Sequence, residues 1–228
     1  MVSERSLQRL RELIQRIVEA ETDDFFELAK IAGLDPAKDF STADLSGLDL
    51  RSAQLAGANF IATNLSQANL ANANLANASF INASLVGATL INVNLNNASL
   101  VSADMMGVNL VRAQMLSANF TGANMTKANL NHVDLRRAVL IGCKLDHATL
   151  HLASLNHVDL RRSSLTSVDF AGANLYGTNL SNADLRWANL SDANLAGATF
   201  EKTLLGGNQG LTREVVADLK RRGAIFES

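Results

Sequence analysis

Proline is almost absent: Pro36 is the only one in 228 residues. Cysteine is confined to Cys143, tryptophan to Trp187 and tyrosine to Tyr176. One thiol allows no disulfide within the chain, so this is not a cystine-stapled fold. No run approaches the ~20 apolar residues that a membrane helix needs. The stretch from Met1 to Arg16 interleaves charges where a secretory signal would be apolar. Neither sign of charge dominates: 20 Lys and Arg face 22 Asp and Glu, a net charge of −2. That balance excludes the strongly basic surface of a nucleic-acid binder. Phosphate-binding glycine loops, nucleophile elbows and HExxH or CxxC motifs are also missing. The chain reads as soluble and cytoplasmic, with neither membrane nor nucleic acid as a partner.

What is present is a register. Leu, Phe or Met stands at every fifth position from Leu45 to Leu205, thirty-three times in succession. Two residues before each of these the chain is nearly always small: twenty-two are Ala and five are Val. One residue before, it favours Asn, Asp or Ser. On an α-helix five residues advance about 500°, so the large side chains would share no face. On a flat strand an odd spacing sends alternate ones to opposite sides. The pattern works only if the chain turns a corner in every repeat, bringing each large side chain back to one axis. The nine glycines inside the array, from Gly47 to Gly197, all fall two residues after a central residue, where such a corner lies. The isolated Pro36, just before the array, suits a region whose backbone N–H groups must pair with neighbouring coils.

In this the chain resembles the pentapeptide-repeat family. Ala68-Asn69-Leu70-Ala71-Asn72 and Ala183-Asp184-Leu185-Arg186-Trp187 match its A(D/N)LXX motif. The resemblance implies an all-β solenoid, a right-handed quadrilateral β-helix with four repeats to a coil. About eight coils at the strand spacing make a rod roughly 38 Å long. Residues twenty apart should then stack, which aligns Phe40, Phe60, Phe80, Phe120 and Phe200 in one structural column, with Phe170 elsewhere. The Ala-Asn-Leu-rich style looks like that of cyanobacterial members.

The flanks differ in kind, giving three segments: 1–39 helical, 40–205 β-helix, and 206–228 a C-terminal capping helix. Leu7, Leu10, Ile14, Ile17 and Val18 recur at helical spacing, predicting an amphipathic helix over about 4–20. A second helix is expected after Thr22, with Phe25, Leu28, Ala29 and Ala32 as its apolar face and Gly33 as its stop. Thr212 should cap a third helix reaching about Arg222. A solenoid exposes strand edges and apolar side chains at both ends, so terminal helices serve as covers.

Candidate chemistry is sparse, and no catalytic, cofactor-binding or metal-binding residues are assigned. His132, His147, His151 and His157 fall within 26 residues, but only His132 and His151 are placed to approach each other. Structural zinc wants four ligands. LNHVDLRR at 130–137 recurs at 155–162, one coil on and one wall around, which disperses its arginines. Cys143 takes an inward, small-residue position and reads as filler. One outward line is apolar, Ile61, Ile81, Val101 and Ile141, and is the candidate protein-interaction stripe. Either the N-terminal helices or a partner could cover it.

The reading is a non-enzymatic scaffold or protein-interaction module with no cofactor, its ends available for docking or homodimer formation. The alternative implied by the resemblance is a DNA mimic acting on a type II topoisomerase. It is disfavoured because residues 41–205 carry ten acidic and ten basic side chains, which makes a neutral rod.

Overall fold

The computed structural model describes residues 25–35 and 38–227, together with Gln8, Arg11, Glu12, Gln15, Arg16 and Glu19. The repeat containing Leu65 shows how five residues close one side of the coil. The Thr63 N–H donates to the Phe60 carbonyl at 3.2 Å, closing a four-residue turn. The N–H of Asn64 donates back to Ala43 at 2.9 Å, and those of Leu65 and Gln67 donate forward to Ser84 and Val86 at 2.7 and 2.9 Å. The remaining donor, the N–H of Ser66, is taken by the Oδ1 of Asn64 at 3.1 Å. Every N–H of the repeat is thus satisfied, four by backbone and one by a side chain.

That fifth bond explains the preference for Asn and Asp before the central residue, since a short side-chain oxygen can reach the N–H two residues on. Where the position holds Gln114, Thr149 or Ser164 instead, the acceptor comes from one coil earlier. Asn96, Asn131 and Asp146 then bond the N–H groups of Leu116, His151 and Thr166 at 2.9, 2.9 and 3.1 Å. Asn side chains also bond between coils, as Asn94 does to Asn74 at 3.3 Å.

Bridges join residues twenty apart without interruption, from Asp44↔Asn64 to Asn189↔Gln209, all of them parallel. Four repeats therefore complete one coil. Every repeat turns with a left-handed residue: all thirty-three second turn positions from Thr42 to Lys202 have φ between 54° and 73°. Nine of these are the glycines singled out by the sequence, but twenty-four are not. An L-residue there costs about 1–2 kcal/mol. Asn, Asp and His tolerate the conformation best. That accounts for much of the Asn content and for the places of His132, His147 and His157, which are all corner residues.

Inside, the central residues and the small residues two before them form one continuous core from Phe40 to Leu205. Polar side chains in the small position are not orphaned. Thr63, Ser163, Thr178 and Thr203 each donate to the carbonyl of a central residue one coil back, at 2.6–2.8 Å. Phe40, Phe60 and Phe80 stack, with centroids 5.8 and 4.9 Å apart. Phe120 and Phe200 occupy the same column, but Leu100, Leu140, Leu160 and Leu180 separate them from further rings. Phe170 lies on another wall.

The array runs further than its apolar pattern. Gln209 still bridges Asn189, although Gly210 stands where a central residue is due. A Cβ on Gly210 would come within 2.3 Å of the Ser191 backbone, so no larger residue fits there. Beyond it, Thr212 caps α2 (Arg213–Arg221), its side chain accepting the N–H of Val215 at 3.3 Å. Arg222 leaves the helix to donate to the carbonyls of Leu195 and Ala198, its guanidinium 4.9 Å from the Phe200 ring. The chain then adds a strand that the sequence does not announce. β1 (Leu204–Leu205) pairs in parallel with β2 (Ile225–Phe226).

At the other end, α1 (Phe25–Ala32) stops at Gly33, φ 73°, with Gly33 and Leu34 donating to Lys30 and Ala29, both at 3.0 Å. This pair of bonds is the Schellman closure expected of a C-terminal glycine. Leu28 and Ala32 are half-buried and Ala29 is buried. Gln8, Arg11, Glu12, Gln15 and Arg16 are helical and exposed. The apolar residues expected on the first helix, Leu7, Leu10, Ile14, Ile17 and Val18, lie outside the described residues, as do Thr22 and Pro36.

Candidate interaction surface

The stripe Ile61, Ile81, Val101 and Ile141 occupies the first turn position of one wall, and the structure leaves all four half-buried. The carbonyls of Ile61, Ile81 and Val101 accept the N–H groups of Thr42, Ala62 and Asn82 at 2.9–3.0 Å, so the line is also a hydrogen-bonded edge. The stripe is part of something broader. From Ile81 to Leu116, seven of eight consecutive first turn positions are apolar: Ile81, Val86, Ile91, Val101, Met106, Val111 and Leu116, with Asn96 the exception. Four repeats span a coil, so these residues form a belt on all four walls. Reading one column at intervals of twenty finds only two of its members.

The Phe column is a core feature and presents nothing outward: Phe60, Phe80, Phe120 and Phe200 are fully buried and Phe40 nearly so. Cys143 is equally enclosed. Its thiol donates to the Phe120 carbonyl at 2.8 Å, and burial pushes its pKa up to about 12, which suppresses the reactive thiolate.

His132 and His151 meet edge to face, 6.1 Å between centroids. His157 instead meets Tyr176 at 5.4 Å. Among the described residues no three His, Cys, Asp or Glu side chains converge as metal ligands would.

Part of the positive charge in the later array is held in ion pairs spread around the rod. Arg136, Arg161 and Arg186 each reach back two residues, to Asp134, Asp159 and Asp184, at 2.6–2.7 Å. The arginine hydrogen bonds hold those three carboxyl groups below the usual range and so keep them ionised. Burial pushes Asp146 upward, but the hydroxyls of Ser164 and Thr166 outweigh it and lower this pKa too. Exposed pairs of this kind contribute only about 0–1 kcal/mol each. Successive pairs are twenty-five residues apart, one coil on and one wall around, so they form no single basic face.

Large exposed apolar side chains in the array are Met106, Leu116, Leu152, Tyr176 and Trp187. Three of them, Leu116, Leu152 and Tyr176, edge a single wall, whose centre is the column Gln114, Asp134, Ser154 and Asn174. Leu116, Arg136, Arg137, Asn156 and His157 line a shallow groove of about 480 Å³ along one of its corners. Sequence reading missed this wall.

Residues 113–183 match the model described as a pentapeptide repeat region. Residues 39–75, 53–90, 73–111 and 169–207 match the model of pentapeptide repeats in eight copies. The chain belongs to the pentapeptide-repeat family. This pentapeptide-repeat protein is similar to HetL, described as involved in heterocyst differentiation regulation in the cyanobacterium Nostoc sp. strain PCC 7120. The two are 33% identical, with a TM-score of 0.55, over 74% of this chain and 78% of that one. Trypsin-treated QnrB1, a plasmid-mediated fluoroquinolone resistance protein, is 20% identical with a TM-score of 0.52, over 79% and 95% of the two chains. At that identity the likeness to QnrB1 shows the fold alone. No curated protein matches significantly. Among the described residues no helix is long and apolar enough to cross a membrane.

Proposed function

We propose that this pentapeptide-repeat protein is a non-enzymatic scaffold, a right-handed quadrilateral rod of about eight coils that binds a protein partner through its walls. The observation that carries this reading is the apolar belt from Ile81 to Leu116, which includes Ile81 and Val101 of the predicted stripe. Outward positions elsewhere in the array are mostly small, polar or charged, so seven apolar side chains in eight repeats mark a patch of the kind that docks proteins. The likeness to HetL, a regulatory protein by its description, is consistent with a binding role. Cytoplasmic residence and a helical role for residues 1–39 in docking belong to the same proposal.

The topoisomerase reading is weaker. Ten acidic and ten basic side chains between 41 and 205 leave the rod without the charge density of DNA.

The test is affinity capture from native host lysate with the full chain and with Ile81→Asp. Ile81 sits at a half-buried turn, so its replacement should change stability by only about 0.5–1 kcal/mol. The expected result is loss of a specific partner at an unchanged circular dichroism spectrum. Capture of the same partner by both proteins would move the docking surface elsewhere.

A further inference from the structure

The wall edged by Leu116, Leu152 and Tyr176 combines exposed apolar groups with uncompensated positive charge. Asp134 is the only carboxylate on it between residues 111 and 177, and Arg136 holds that group at 2.7 Å. Arg112 and Arg137 stand exposed on its two corners, and neither makes an ion pair among the described residues. Arginine and tyrosine beside exposed aliphatic groups are the residue types that dominate the energetics of protein interfaces.

The chain itself carries the complementary piece. From Glu19 to Glu27 there are five carboxylates (Glu19, Glu21, Asp23, Asp24, Glu27) and no cation, and Phe25 and Phe26 lie within the same stretch. Nowhere else in the chain do five like charges follow one another without a charge of the opposite sign between them. We propose that the wall receives the Glu19–Glu27 stretch of a second copy, and that two rods associate antiparallel with each holding the other's N-terminal segment. The patch, from residue 111 to 177, is centred in the later half of the array, and an antiparallel neighbour brings its N-terminus there. Such a contact is isologous, so both copies are satisfied at once. Nucleic acid fits less well, because two free arginines on opposite corners give little phosphate neutralisation and the wall between them is apolar at its edges.

Sedimentation velocity of the full chain tests this, over about 1–100 µM, a range that brackets micromolar self-association. The expected result is a monomer–dimer equilibrium that weakens with salt. Arg112→Glu with Arg137→Glu should weaken the dimer at least tenfold, and Asp23→Lys with Asp24→Lys should do the same. The substituted arginines are exposed corner residues, and circular dichroism checks that each variant is folded. Mixing the two double variants should restore part of the dimer, since in the heterodimer the lysines at 23 and 24 meet the glutamates at 112 and 137 while an unchanged wall meets an unchanged segment. The proposal is overturned by a full chain that stays monomeric, including one whose segment folds onto its own wall or whose wall binds duplex DNA instead. A dimer indifferent to the arginine reversals, or a mixture that fails to recover, overturns it equally.

Discussion

Replacing Phe60 with Ala is expected to destabilise the rod by about 3–5 kcal/mol from lost burial and the cavity left behind. A further contribution of roughly 1–3 kcal/mol is expected from its two ring contacts. Phe60 is fully buried and lies between Phe40 and Phe80, at 5.8 and 4.9 Å. Phe120 is the internal control. It is as deeply buried and sits in the same column, but its neighbours one coil away are Leu100 and Leu140. Phe120→Ala should therefore cost only the cavity portion. Urea unfolding of the two variants measures the difference, and equal losses would mean that ring stacking contributes nothing to the N-terminal coils. A repeat structure gains its stability from contacts between neighbouring coils, so a defect in one coil weakens both of its interfaces.

The second large effect concerns the C-terminal end. A chain ending at Leu205 loses α2, β2 and the Arg222 contacts together. The Thr203 and Leu205 carbonyls, which accept the N–H groups of Ile225 and Glu227 at 2.8 and 2.7 Å, become an open strand edge. Leu195 is only half-buried even with Leu211 and Val215 lining the same hollow, and Leu219, the fully buried residue of α2, is removed. Losing that one leucine from the core costs about 1.5–3 kcal/mol. The exposed edge then templates pairing with other chains. Light scattering after size exclusion should show the shortened chain as salt-resistant multimers, whereas the intact chain forms none. A shortened chain as monodisperse as the intact one would show that the tail is dispensable as a cover.

How much of this was legible beforehand depends on what each feature repeats. The central Leu register is visible because packing demands a large apolar residue at every fifth position, and the chain never deviates between Leu45 and Leu205. The corners were half legible. Glycine marks nine of them, but Arg112, Leu152 and Trp187 adopt the same left-handed backbone with side chains that announce nothing. There the coil-to-coil hydrogen bonds override local preference. The bridge at Gln209 was hidden because Gly210 removes the apolar signal while the backbone ladder continues. β2 was hidden for a related reason: two residues, Ile225 and Phe226, are too short for any alternation, and their pairing is decided by the open edge they meet.

The surface was less legible than the core. The line from Ile61 to Ile141 is legible because its members share a column, yet in the fold all four named residues are half-buried. Leu116 and Tyr176 share a column too, but Arg136 and Asn156 intervene, and Leu152 lies on the opposite corner. Only the coil geometry brings these three around one wall. The belt from Ile81 to Leu116 is legible at intervals of five, the same interval that marks the core.

A coil of four repeats underlies all of these surfaces, and disulfide trapping tests it most directly. Ser79 and Ser99 are bridged one coil apart on the same wall, whereas Asn94 lies on the adjacent wall. Strands about 4.8 Å apart place paired cysteines within disulfide reach. Ser79→Cys with Ser99→Cys should oxidise completely to an intramolecular disulfide, and Ser79→Cys with Asn94→Cys should remain reduced. Cross-linking of the second pair in preference to the first would contradict the four-repeat coil.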